Sequence, residues 1–153
     1  MFFGVPQHRE RIYIVGFRKD LGINKEDFSY PKQKTITKKW IDVREEMPVP
    51  AKYYLSTTYI DTLKRHKARH EAKGHGFGYD IIPDDGIAHA IVVGGMGREC
   101  NLVIDFRQKD LTPTTRIKGE VNRQGWRKMT PREWARLQGY PYNFKIVVAD
   151  ASA

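Results

Sequence analysis

The run Ile12-Tyr13-Ile14-Val15-Gly16-Phe17 is β-branched or aromatic at almost every position and apolar on both faces of a period-2 pattern. Such a segment predicts a central strand in a sheet covered on both sides, because a half-exposed hairpin strand would alternate with polar residues. No comparable partner lies nearby in the sequence. The residues leading into it, Gln7, Arg9 and Arg11, alternate after Pro6, so the same period places all three on one face. One amide and two guanidiniums on one face suit a planar, anionic, hydrogen-bonding ligand such as a nucleotide, and equally suit a polar strand entrance paired with carboxylates. At the other end, Lys145-Ile146-Val147-Val148-Ala149-Asp150-Ala151-Ser152-Ala153 stops without a cap or a polar tail. The expectation is a fragment of something larger.

Enough apolar material is present for a globular fold: 40% of the 153 residues are hydrophobic and 12% aromatic, which argues against wholesale disorder. Lys plus Arg number 27 against 18 Asp plus Glu, a net charge of +9. That excess favours a polyanionic partner, nucleic acid ahead of an anionic membrane, because no amphipathic anchor helix is visible. No stretch approaches the roughly 20 apolar residues of a membrane span, and no basic leader precedes an apolar run. The single cysteine, Cys100, can form neither an internal disulfide nor a multi-thiolate zinc site, which points to a reducing compartment. A soluble cytoplasmic protein is expected.

Residues 22 to 50 mix charge with Pro31, Pro48 and Pro50, and predict connection with one short helical turn around Trp40, Ile41 and Val43. From Ser56 or Thr57 a helix is predicted through Ala72, capped by hydroxyls, striped by Ile60 and Leu63, and closed by Gly74. Its other faces are basic: Lys64, Arg65, Lys67, Arg69 and Lys73 against Glu71 give +4 over ten residues. This is either a solvated face or a phosphate-contacting one. His66 and His70 stand one turn apart, but no third ligand at metal spacing accompanies them apart from His75 beyond the helix.

Two glycine-rich segments follow, Gly74-His75-Gly76-Phe77-Gly78-Tyr79 and Gly94-Gly95-Met96-Gly97-Arg98, neither ending in the Gly-Lys-Ser/Thr of a phosphate loop. Strands are predicted over Ile87 to Val93 and Leu102 to Phe106, with the second glycine loop joining them as antiparallel neighbours. The most sharply specified element is the helix opened by Thr130. Thr130 and Glu133 have capping-box spacing, Pro131 takes the first helical position, Met129 can staple onto Trp134, and Gly139 with Pro141 ends it. Trp134 and Leu137 are expected to face a core, with Arg132 and Arg136 on the opposite side. The stretch from Arg116 to Arg136 carries seven basic and two acidic residues, a second candidate for phosphate contact.

Two blocks near the ends together resemble the DNA cytosine-5 methyltransferases. Phe3-Gly4-Val5-Pro6-Gln7-His8-Arg9-Glu10-Arg11-Ile12-Tyr13 resembles the family's Gln-x-Arg-x-Arg block, motif VIII, and Arg127-Lys128-Met129-Thr130-Pro131-Arg132-Glu133-Trp134-Ala135-Arg136-Leu137-Gln138-Gly139-Tyr140-Pro141 resembles its motif IX. They occur in the family's order, separated by a length that suits its variable target-recognition region. The segments around His66 to His70, Gly74 to Tyr79 and Val93 to Arg98 are similar to recognition-region pieces of bacterial modification methylases, so the resemblance covers nearly the whole chain.

The resemblance implies that Arg9 and Arg11 lie beside a flipped cytosine and its backbone, with Gln7 supporting them. It implies that Thr130, Glu133, Arg136 and Gly139 brace the recognition region. DNA contact would fall to Arg65, Lys67, Arg69, Lys73, Gly76, Gly94, Gly95, Gly97 and Arg98, the last able to grip guanine with its guanidinium. The family's Pro-Cys-Gln thiolate, its ring-protonating Glu and its S-adenosylmethionine turn have no counterpart here, since Cys100 sits in Glu99-Cys100-Asn101. No cofactor or metal is therefore expected to bind this chain. A departure lies at Ala90-Ile91, where such regions commonly carry Thr-Leu.

The fold implied is α+β: a small, mainly antiparallel target-recognition domain over residues 21–126, flanked by one orphaned strand (1–20) and one capped helix (127–153) from the edge of an α/β catalytic domain. Duplex DNA and a catalytic half, in cis or in trans, are the implied partners, within a bacterial, nucleoid-associated setting of restriction and modification. Two alternatives stand beside this: a natural non-catalytic specificity subunit, and a general basic nucleic-acid-binding module. Exposed apolar surface on Ile12 to Phe17 predicts self-association.

Overall fold

The computed structural model describes residues 4–32, 35–76, 78–92, 99–117 and 119–147. Among the described residues three α-helices and two small ladders carry the fold, giving it a mixed helix and strand character. Helix α1 (Trp40–Val43) is the single turn foreseen in the proline-rich connection. Its first N–H groups find acceptors outside the helix: Trp40 N donates to Gly86 O at 2.9 Å and Ile41 N to Asp84 O at 3.0 Å. Helix α2 (Thr57–Glu71) begins where Ser56 Oγ accepts from Tyr59 N at 3.2 Å, and Gly74, at φ +74°, turns the chain away after it. Helix α3 (Pro131–Leu137) shows the full reciprocal cap, with Glu133 N donating to Thr130 Oγ1 at 3.1 Å and Thr130 N to the Glu133 carboxylate at 2.8 Å.

Strand β1 (Gln7–His8) pairs in parallel with β2 (Ala88–His89), and β3 (Val103–Ile104) pairs antiparallel with β4 (Trp126–Arg127). Isolated bridges extend these: Tyr54 to Arg127 and Ser56 to Val121 antiparallel, Ile81 to Leu102 parallel. Around them the apolar residues sort into three clusters. The first joins α1 and α3 through Trp40, Val43, Met129 and Leu137 with Ala88 and Val103; Trp134 packs partly buried against it, as expected of the helix's apolar side. The second seats α2 through Ile60 and Leu63 on Leu102 and Trp126, and the third gathers Val49, Tyr54, Ile117 and Val121.

Three sequence expectations are corrected. Residues 12–17 form no strand; Ile12 and Ile14 are 92% and 94% exposed, and the ladder at this end is the short β1 just before them, which is paired rather than orphaned. A run apolar on both faces needs cover on both faces, and the described residues supply none. Among the described residues the segments 87–92 and 102–106 form no ladder with each other: β2 pairs with β1 and β3 with β4. What joins them is a side chain: buried Asn101 accepts from His89 N at 2.8 Å and donates to His89 O at 3.4 Å, doing for one residue what a neighbouring strand would do. The third concerns α3, where Arg136 does not share an outward face with Arg132. Its guanidinium is folded in, donating to Val43 O at 3.1 Å and Arg44 O at 2.9 Å and thereby satisfying the last carbonyls of α1.

Candidate nucleic-acid interface

Gln7, Arg9 and Arg11 do share one side of the chain. All three line an open cleft of about 430 Å³ between the β1 segment and the end of α3, together with Val5, Ile12, Tyr13, Leu137 and Gln138. Pairing with β2 buries Gln7, and its Nε2 has no hydrogen-bond partner among the described residues. A buried amide left unmatched costs free energy unless something else meets it, so the cleft floor holds a donor in want of an acceptor. Arg9 reaches across to α3, its Nη1 donating to Gln138 Oε1 at 3.1 Å. Arg11 turns back on the carbonyl of Glu10. Among the described residues no carboxylate lines this cleft. An amide and two guanidiniums lining it suit an anionic group.

Helix α2 presents the second basic surface. Arg65, Arg69 and Lys73 recur at four-residue spacing and are all exposed. Lys67 departs from them: its Nζ reaches Tyr79 O at 3.3 Å and lies 4.8 Å from the Tyr79 ring centre, while its stem fills the space beside Gly78. It acts as a packing residue of the α2 surface. Gly76 is exposed with open space around it. Gly94, Gly95, Gly97 and Arg98 lie outside the described residues, as does Phe77.

The remaining basic stretch, Arg116 to Arg136, is corrected in part, because Arg127 faces no phosphate. It is fully buried on β4 and grips Glu133 with two 2.8 Å hydrogen bonds. Its Nε also donates to Asp105 at 3.1 Å. Arg107 holds the other side of Asp105 at 2.9 and 2.7 Å and spends its Nη1 on the carbonyls of Glu45 and Glu46. Glu45 N then donates to Glu133 Oε1 at 3.1 Å, closing a ring of contacts that joins the chain just beyond α1 and just beyond β3 to β4 and α3. Burial opposes ionisation of Asp105, but the hydrogen bonds from Arg107 and the charges of Arg127 and Arg107 outweigh it and pull its pKa down to about 2. Burial likewise works against charge on Arg127, yet Glu133 and Asp105 together raise its pKa.

Thr130 and Glu133 thus cap α3, while Glu133 and Arg136 tie it to β4 and to the end of α1. Gly139, at φ +86°, passes Val5 on the β1 segment with room for little more than contact, since a Cβ there would meet Val5 Cγ1 at 3.4 Å. Sequence reasoning missed Asp105, Arg107, Asn101 and Asn122. The last is fully buried, its Nδ2 donating to Leu55 O at 2.7 Å and Trp126 O at 2.9 Å. The one local signal was the spacing of Asp105 and Arg107, two apart and so on one face of extended chain.

Cys100 behaves as a structural thiol. Its Sγ donates to Gly78 O at 3.4 Å, and burial, followed by the charges of Asp80 and Glu99, pushes its pKa up, the reverse of what a nucleophilic thiolate needs. His89, beside Ala90-Ile91, is held by Asp80 at 2.7 Å. Among the described residues no group of three His, Cys, Asp or Glu is placed to hold a metal, and no helix is long and apolar enough to cross a membrane.

The family model of C-5 cytosine-specific DNA methylase matches residues 1–153. The chain is 70% identical over 151 residues to the Type II methyltransferase M.HpaII of Haemophilus parainfluenzae, which covers 99% of this chain and 42% of that protein. It is 35% identical over 151 residues to the Type II methyltransferase M.SsoII of Shigella sonnei, covering 99% and 36%. It is also 32% identical over 164 residues to the DNA-cytosine methyltransferase of Escherichia coli, covering 97% and 34%. The chain spans between a third and a half of the length of these curated relatives. No solved structure matches it.

Proposed function

The chain belongs to the C-5 cytosine-specific DNA methylases, and from that premise we propose that it is the portion of such an enzyme that holds and reads duplex DNA. The observation that carries this is the cleft floored by Gln7 and flanked by Arg9 and Arg11, which no carboxylate lines among the described residues. A nucleotide turned out of the duplex exposes hydrogen-bonding edges and phosphates that are otherwise stacked or solvated, and an amide with two guanidiniums matches both. On this reading Arg9 and Arg11 contact the extruded cytosine and its backbone. Gln7 supports them from the cleft floor. Arg65, Arg69 and Lys73 take phosphates further along the duplex. Base edges fall to Gly76, Gly94, Gly95, Gly97 and Arg98, where a bidentate guanidinium distinguishes guanine.

Methyl transfer needs more than this chain offers. Enzymes of the family use S-adenosylmethionine, and the thiolate that adds to cytosine C6 finds no counterpart in Cys100. We assign both to the remainder of the enzyme, so that residues 1–20 and 127–153 edge a catalytic domain and residues 21–126 form the recognition domain. The exposed run from Ile12 to Phe17 favours a second reading, in which the chain is a specificity subunit completing a catalytic chain in trans. Covering that run on both faces is what a catalytic sheet would do. Mixing with a separately made catalytic half and assaying methyl transfer distinguishes the two, since only a natural subunit should restore full activity.

The direct test is a titration of labelled duplex at two salt concentrations. The double variant Arg9→Ala, Arg11→Ala should bind more weakly and lower the salt slope by about 2, one for each phosphate that the variant no longer neutralises. Unchanged affinity and slope would overturn the assignment of the cleft. Equal binding to any nucleic acid, with no weakening on changing the cleft, would leave a general basic module.

A further inference from the structure

Arg9 and Gln138 stand 129 positions apart in the sequence, one in each of the two blocks near its ends, and both line the cleft. Arg9 Nη1 donates to Gln138 Oε1 at 3.1 Å. The backbones that carry the two partners differ. Arg9 follows the two-residue β1 and lies on exposed chain without regular structure, where the backbone does little to fix a long side chain.

Gln138, by contrast, ends a helix that is fastened at both ends. At the start of α3 the reciprocal cap of Thr130 and Glu133 is joined by the buried pair of Glu133 with Arg127. At its finish Gly139 N donates to Arg136 O at 3.0 Å and Tyr140 N to Ala135 O at 3.1 Å, the paired closing bonds that a glycine at φ +86° permits. Leu137, fully buried, pins the last turn to the core. Gln138 itself is exposed, so its side chain is free of the packing that holds its backbone.

The chemistry of the pair gives it a direction. A guanidinium offers only donors, so the amide must turn its oxygen to Arg9. An amide oxygen orients a guanidinium without cancelling its charge, which a carboxylate in the same place would do. Arg9 commits one N–H to Gln138 and keeps the others for a ligand. Ordering a long side chain is part of the cost of binding, and a side chain already held when the ligand arrives has less freedom left to lose. We infer that Gln138 is a positioning residue of the cleft, holding the Arg9 guanidinium in place and still charged for a phosphate of the bound nucleotide. The inference rests on the reading of the cleft as the seat of an extruded nucleotide, and adds to it a residue from the other end of the chain. It gives the end of α3 a part in binding itself.

The test is titration of labelled duplex with the full chain over a series of salt concentrations, for the parent, Gln138→Met, Arg9→Ala and the two changes combined. Methionine keeps the length of glutamine and removes the acceptor. Because Gln138 is exposed, the urea midpoint should not move. Gln138→Met should weaken binding about threefold to tenfold, the worth of one hydrogen bond, and leave the salt slope unchanged, since no charge is lost. Arg9→Ala should lower that slope by about 1. In the Arg9→Ala background Gln138→Met should change affinity by less than about twofold, because the amide acts through the guanidinium it holds. An equal loss from Gln138→Met with and without Arg9 would show the amide acting alone and overturns the inference. Parental affinity of Gln138→Met beside a weakened Arg9→Ala does the same, and both results leave the nucleotide cleft standing. If neither variant weakens binding to a duplex that the parent holds, the reading of the cleft falls together with the inference.

Discussion

Residues 12–30 and residues 102–133 make opposite use of their side chains. The first segment is rich in strand-forming residues, yet Ile12, Tyr13, Ile14, Val15, Phe17, Leu21, Ile23 and Tyr30 are all exposed. What order it has is local: Phe17 meets Phe28 at a tilt and Phe28 meets Tyr30 edge to face, with ring centres 5.9 and 5.1 Å apart, and Tyr30 Oη donates to Tyr13 O at 3.1 Å. The second segment holds a ladder of only two residues per strand, and buries Asp105 just beyond β3, Arg127 on β4 and Glu133 on α3. The short ladder stands because its charged side chains tie it to both α1 and α3. Intrinsic strand preference therefore makes no strand without a partner for its backbone and cover for its faces, whereas a few well-placed side chains can hold a very short ladder.

The contrast is probed most strongly by Arg127→Met. It leaves Glu133 and half of Asp105 buried without their partner, and should cost about 3–5 kcal/mol in urea unfolding, whereas Ile14→Ala on the exposed segment should change stability by no more than about 0.5 kcal/mol. Comparable costs for the two would mean that both regions are held in the same way. Acid titration followed by circular dichroism comes next. Because native Asp105 titrates near pH 2, below its unfolded range, its stabilisation is fully present above about pH 4 and is lost as pH falls through about 2. Asp105→Asn should flatten that part of the profile; an unaltered profile would remove Asp105 from the network. Thr130→Ala takes away one half of the α3 cap and should cost about 1 kcal/mol.

The two long elements of the packed region were legible because their signals are local. Ser56 and Thr130 sit at the caps they mark, and Ile60 and Leu63 are one turn apart. The common side of Gln7, Arg9 and Arg11 was equally legible, since period 2 needs only extended chain. The charge network was not, because Glu45 and Asp105 lie far in sequence from the stretch that holds Arg127 and Glu133, and no spacing links the three parts. Arg127 and Arg136 therefore read as surface charge when one lies in the core and the other ends a helix. The run from Ile12 to Phe17 misled for the reverse reason. Its local pattern is strong, and what decides its state is the presence of partners elsewhere.

The smallest effect on stability, and a sharp one on assembly, belongs to that run. Ile12→Asp with Ile14→Asp should leave the unfolding free energy within about 0.5 kcal/mol of the parent, because neither side chain is packed. If the exposed run drives self-association, the same pair should shift light scattering at high concentration towards monomer. A parent chain that is already monomeric at high concentration would show that the run does not need covering.

Whether this chain reads DNA is decided by selecting binders from a randomised duplex pool at two salt concentrations and sequencing them. Phosphate contacts alone give affinity that is salt-sensitive and blind to sequence. A reading module should enrich a short site containing cytosine, and the enrichment should persist at the higher salt. Binding that fades with salt and enriches no sequence would show that the chain grips DNA without reading it.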